Sequence, residues 1–133
     1  LAASGNDEYK EQLKKIELRH LDAVKELIPV QHQSSVLSLV KKGCNEIEDI
    51  CNGIYLLGEC SLRTKDKLMS YGEWLSSQMF LAALQHANIQ AVWKDARELI
   101  RSNSSFGNAA VDFGITNQQV QKYFQKNDAQ VTV

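Results

Sequence analysis

Proline occurs once and glycine seven times among the 133 residues. Little in the chain therefore interrupts a helix, and long helices are permitted. Cysteine is scarce and odd in number, with Cys44, Cys51 and Cys60 alone. Their spacing matches no paired C-x-x-C zinc knuckle. A chain long enough to build a core without staples points to reduced thiols and a cytoplasmic protein. Histidine is equally sparse: His20, His32 and His86 lie far apart, and none falls in an H-E-x-x-H frame. No metal site is expected, and His20, on an apolar helical stripe, reads as a hydrogen-bonded core or boundary residue. Excess charge is missing too, since 15 basic and 16 acidic side chains leave a net charge of −1. That excludes nucleic-acid binding driven by phosphate neutralisation. No apolar run nears the ~20 residues that span a bilayer, and the first residues carry no basic and then apolar stretch of a signal peptide. No membrane association is expected. Walker-type, G-x-G-x-x-G and G-x-S-x-G loops are all absent.

What remains is an ordinary globular composition, 44% hydrophobic and 23% charged, in a chain of single-domain length. Residues 6–88 read as a helical part. After Asn6, a candidate cap, Tyr9, Leu13, Ile16, Val24 and Leu27 recur at a helical period, and Pro29 ends the run. A second helix is predicted from Ser34 or Ser35, with Val36, Val40, Ile47, Cys51 and Ile54 on one face, fraying near Gly58. A third follows a Ser61 or Thr64 cap and carries Leu68, Leu75 and Met79 on its stripe. Residues 89–133 form a strand, loop and short-helix part. Ile89, Ala91 and Trp93 alternate as in a strand, and Thr116 to Gln119 read as a capping box. Val120, Tyr123 and Phe124 supply the apolar side of that short helix, and Val131 to Val133 open another strand.

The most informative segment runs from Ser70 to Ser77. Gly72 lies on the third helical stripe, where a glycine costs about 1 kcal/mol against alanine and marks close approach by another segment or a ligand. Glu73 beside it, flanked by Ser70, Ser76 and Ser77, can present a carboxylate to an ammonium group. The alternative is a solvated surface glutamate. Cys60 has no base nearby and reads as a plain thiol.

At these residues the chain resembles the aspartokinases, including the kinase part of bifunctional aspartokinase–homoserine dehydrogenases. Gly53 to Cys60, leading through Arg63 to Ser70-Tyr71-Gly72-Glu73, is similar to the family's helix ending in S-x-G-E. Asp95 to Leu99 and Phe106 to Asp112 resemble the segment that follows. The resemblance is closest over residues 53–124. It implies that 1–133 is a single partial domain, an interior piece of a catalytic domain. The implied fold is a mostly α fragment, with three long helices, a short helix and minor β, of the α/β amino-acid-kinase fold, a three-layer α/β/α sandwich. It implies an activity as well, transfer of the ATP γ-phosphoryl group to the side-chain carboxylate of L-aspartate. That is the first step towards lysine, threonine and methionine. ATP and Mg²⁺ are the implied cofactors of the whole enzyme, and a homo-oligomer is expected. By the same resemblance Glu73 is the substrate-binding residue that meets the aspartate ammonium. No catalytic, cofactor-binding or metal-binding residue is carried over. The family's K-F-G-G-T-S and G-R-G-G-S-D loops, which handle the phosphates, do not occur here. The rival reading is a non-enzymatic helical protein-interaction domain.

Phosphoryl transfer works by positioning and charge stabilisation, so these 133 residues, lacking both loops, should not turn over or bind ATP. Purified chain, incubated with aspartate, ATP and Mg²⁺, is expected to yield no aspartyl phosphate above a protein-free control.

Overall fold

A computed structural model describes residues 1–133. Three long helices lie together, and a two-stranded sheet with a fourth, shorter helix follows them. Helix α1 spans Tyr9–Leu27, α2 Gln33–Leu57 and α3 Leu62–His86. Strand β1 is Ala91–Val92, α4 is Phe113–Phe124 and β2 is Val131–Thr132.

The helix ends follow local chemistry. α1 stops at Leu27 because Ile28, ahead of Pro29, is extended at φ −125° and ψ 128°. α2 ends on Gly58 in the left-handed region at φ 69°, a conformation glycine adopts without a Cβ penalty. Ser61 caps α3 by accepting a hydrogen bond from the Thr64 N–H at 3.1 Å. Asn6 accepts from the Glu8 N–H at 2.9 Å, but this forms a turn ahead of the helix, which begins at Tyr9.

Two apolar clusters hold the helices. Val24 and Ile28 of the α1 end, Val40 of α2, and Leu75 and Met79 of α3 form one. Ala2, Tyr9, Cys51 and Ile54 form the other, where the Tyr9 hydroxyl donates to Asn52 at 2.6 Å. Burying a side chain such as Leu75 contributes about 1.5–3 kcal/mol. Ile16 and Leu27, expected on the buried stripe, are exposed. Val24 and Ile28 fill the seam toward α2 and α3, and those two residues fall outside it.

The close approach expected at Gly72 does not occur there. Gly72 is exposed, and a Cβ there would meet nothing within 4 Å. The buried arc of α3 is centred on Leu75 and leaves Gly72 at its margin. Close approach occurs at Gly43 of α2 instead. A Cβ on that residue would lie 2.7 Å from a Trp74 ring carbon and 3.0 Å from a Leu75 methyl.

Beyond α3 the chain turns at Asn88, with φ 59°, and enters β1. Strands β1 and β2 pair in parallel, Ala91 opposite Val131 and Val92 opposite Thr132. The strand itself is short, but the pairing runs on past it: the Val133 N–H donates to the Val92 carbonyl and the Lys94 N–H to the Val133 carbonyl, both at 2.9 Å. Trp93 thus lies opposite Val133 while its side chain reaches α3, and Asp95 caps a short 3₁₀ turn over Ala96–Glu98. α4 starts earlier than the capping-box reading placed it. Asp112 is the cap, accepting from the Ile115 N–H at 3.0 Å. Thr116 is buried within the helix, and its hydroxyl accepts from the Arg101 N–H at 3.0 Å. Phe124, assigned to the apolar side of α4, is exposed, while Val120 and Tyr123 are half-buried.

Gly43→Ala is expected to destabilise the chain by about 1–3 kcal/mol, because the rigid indole cannot yield without moving α3. Gly72→Ala should stabilise it by about 0.5–1 kcal/mol, as a helix position with open space around it. Urea unfolding of the two variants measures both.

Candidate functional site

The carboxyl ends of both strands meet the middle of α3. There a cleft of about 250 Å³ is walled by Glu73, Trp74 and Ser77 of α3, by Trp93 to Arg97 after β1, and by Val133 after β2. In open parallel α/β sheets, ligands bind outside the carboxyl ends of the strands.

Two side-chain contacts fix the walls. The Trp93 indole N–H donates to the Ser77 hydroxyl at 3.1 Å, which latches the strand exit to α3. Arg97 grips Asp95 with two nitrogens, Nε at 2.9 Å from Oδ1 and Nη2 at 2.6 Å from Oδ2. That bidentate bond holds the Asp95 carboxyl below the usual carboxylate range and raises the Arg97 guanidinium above its ordinary value. Lys94 pairs with Glu98 and lies over the Tyr123 ring.

Glu73 is the exception. It is exposed at the rim, one turn before Ser77 on the same helix face, and its carboxylate joins no ion pair in the chain. Every other charged side chain lining the cleft has a counter-ion, so the uncompensated side-chain charge there is the Glu73 carboxylate. Sequence reasoning singled out Glu73 and grouped it with Asp95 to Leu99 as informative segments. It did not anticipate Trp93 and Ser77 as the latch, because an indole N–H and a helix serine carry no signal until they face each other.

A second, larger groove of about 510 Å³ lies on the other side of Trp74, between α2 and α3, and shares Ser70, Trp74 and Arg97 with the first. In it the Tyr71 hydroxyl donates to Glu46 at 2.7 Å. Burial, with help from that hydrogen bond, pushes the Tyr71 hydroxyl up to about 12. The thiols lie elsewhere. Cys44 and Cys51 are raised by burial, and Cys60 is exposed. His20 sits at the boundary of α1 with its ring nitrogen 2.7 Å from the Ile16 carbonyl.

No protein-family model matches the chain. It is 25% identical over 133 residues to bifunctional aspartokinase/homoserine dehydrogenase 1, chloroplastic, of Arabidopsis thaliana, covering 99% of this chain and 15% of that protein. Over 72 residues it is 38% identical to lysine-sensitive aspartokinase 3 of Escherichia coli (strain K12), covering 50% of this chain and 16% of that one. The relatives of this chain are aspartokinases. Its fold is also theirs. The crystal structure of E. coli aspartokinase III in complex with lysine and aspartate superposes with a TM-score of 0.85 at 23% identity. That match covers 98% of this chain and 29% of the aspartokinase chain. The chain thus spans 15% and 16% of the length of these two curated aspartokinase relatives. No helix is long and apolar enough to cross a membrane.

Tyr71 has its folded-state value raised to about 12, above the ordinary 10 or so of a free tyrosine. The stability it contributes is therefore complete below about pH 10 and lost as pH rises toward 12. Tyrosinate absorbance should show one of the four tyrosines ionising late, and Tyr71→Phe should remove that late step.

Proposed function

We propose that this chain is a substrate-facing part of an aspartate kinase, and that Glu73 receives the ammonium group of L-aspartate. The observation that carries the reading is the single uncompensated side-chain carboxylate on a cleft at the carboxyl ends of two parallel strands. An ammonium is the complementary partner for such a group, and a charge-assisted hydrogen bond is its natural contact. The aspartokinase relatives support the same substrate class. The two-stranded parallel sheet supports membership of a larger three-layer α/β/α sandwich, since parallel sheets are covered on both faces. Exposed apolar residues such as Leu56, Leu57 and Phe113 support burial against further polypeptide and, for the chain alone, self-association.

In this reading Glu73 is a substrate-binding residue. Fixing the ammonium orients the distal carboxylate, whose oxygen attacks the γ-phosphorus of ATP as the bond to the ADP oxygen breaks. ATP and Mg²⁺ belong to the family's glycine-rich loops, outside these residues. Trp93 and Ser77 keep the helix turn bearing Glu73 at a fixed distance from the strand ends. A misplacement of about 1 Å there costs on the order of 100-fold in rate.

Glu73→Gln in the complete kinase keeps the shape and removes the charge. With a charged hydrogen bond worth about 1.5–3 kcal/mol, kcat/KM for aspartate is expected to fall roughly 10- to 150-fold. The KM for ATP should hardly change. Steady-state kinetics with each substrate varied checks this, and unaltered aspartate kinetics would reassign Glu73 to the solvated surface.

A further inference from the structure

The larger groove between α2 and α3 is charged in the opposite sense to the Glu73 cleft. Lys42 of α2 and Lys67 of α3 line it, and neither makes an ion pair within the chain. Arg97 joins them from the segment after β1. Asp95 engages its Nε and one Nη, and a guanidinium has five N–H donors, so several remain free. The one carboxylate on the groove wall, Glu46, already accepts from the Tyr71 hydroxyl. Two unpaired lysines, together with the spare donors of the Asp95-paired Arg97, thus face a single, partly engaged carboxylate across three different elements. The apolar part of the lining is Leu39 and two aromatic rings. Trp74 and Tyr71 meet edge to face, with ring centroids 6.3 Å apart. At about 510 Å³ the groove falls within the size range of small-molecule sites.

We propose that this groove is a second ligand site, for a phosphorylated small molecule bearing a flat apolar group. A phosphate monoester carries about −1.5 to −2 charge at neutral pH, which complements the net positive lining. Lysine supplies point charges and arginine a planar fork, the combination suited to phosphate oxygens. Trp74 and Tyr71 offer aromatic surface to the flat group. The site does not depend on the aspartate kinase reading, and it departs from the expectation, drawn from the missing glycine-rich loops, that this chain binds no ATP. It lies behind Trp74 from Glu73, and its cations are not those an amino-acid ammonium would seek. It is nevertheless coupled to the cleft through Arg97, because a phosphate in the groove competes with Asp95 for the same guanidinium.

Calorimetric titration of the 133-residue chain with adenosine 5′-monophosphate, adenosine and inorganic phosphate tests this at low ionic strength. The nucleotide is expected to saturate with a Kd below about 1 mM and to bind at least about ten-fold more tightly than adenosine or phosphate alone. Lys42→Gln and Lys67→Gln should each weaken it roughly two- to ten-fold. Both lysines are exposed, so these changes leave the core untouched. Lys126→Gln on the far segment and Glu73→Gln should leave nucleotide binding unchanged, which separates this site from the proposed aspartate site. Equal affinity for nucleotide and adenosine, no loss in either lysine variant, or no saturation up to about 10 mM would overturn the proposal.

Discussion

The contact on which the molecule depends is the one between Gly43 and the Trp74 ring. Because Gly43 has no side chain, α2 and α3 approach closely enough for the indole to lie against the α2 backbone. Trp74 then becomes a partition. One of its sides belongs to the cleft with Glu73, and the other to the groove with Lys42 and Lys67. Leu75, the next residue, is almost fully buried in the core cluster and fixes the rotation of α3 about its axis. With that rotation set, Glu73 and Ser77 face the strand ends and Tyr71 faces α2.

The electrostatics follow from how charges are distributed around this partition. Half of the ionic groups near it are paired with neighbours in sequence: Arg97 with Asp95, Lys94 with Glu98. Such exposed pairs contribute little stability. Their effect is to leave a few groups uncommitted, one carboxylate on one side and two ammonium groups on the other. Both proposed sites rest on charges left over after local pairing, and total charge is a poor guide to them. A net charge of −1 conceals two surfaces of opposite sign back to back.

Much of the fold was legible from sequence because its helices end on local chemistry. Pro29, Gly58 and Ser61 each act through their own backbone or side chain, so the boundaries near them needed no tertiary information. Where two local signals competed, tertiary contact decided. Asp112 and Thr116 are both good caps, and the Arg101 N–H claims the threonine hydroxyl, leaving Asp112 to start α4. Gly43 and Gly72 both fall on helical stripes, and nothing local says which one faces an indole. Both strands were visible as short β patterns, but their parallel pairing was not, since the partners are distant in sequence. The candidate site was half legible. Glu73 was found beside a glycine and among serines, and the resemblance to the S-x-G-E motif is the source of the ammonium proposed for it. That it lacks a counter-ion is a property of the folded arrangement alone.

The pairing of Ala91 with Val131 also sets an order of assembly. The α1–α2 and α2–α3 contacts join helices linked by short turns, so little chain entropy opposes them. Bringing β2 beside β1 closes a loop of about forty residues, and that closure must precede any reward from the ladder. The helices therefore form first and the strand ends last. Trp93 reaches Ser77 from a strand anchored on one side by α3, whereas Val133 arrives only with the late-closing segment. The wall of the cleft supplied by β2 is the last to be built and the first to be lost when the chain opens.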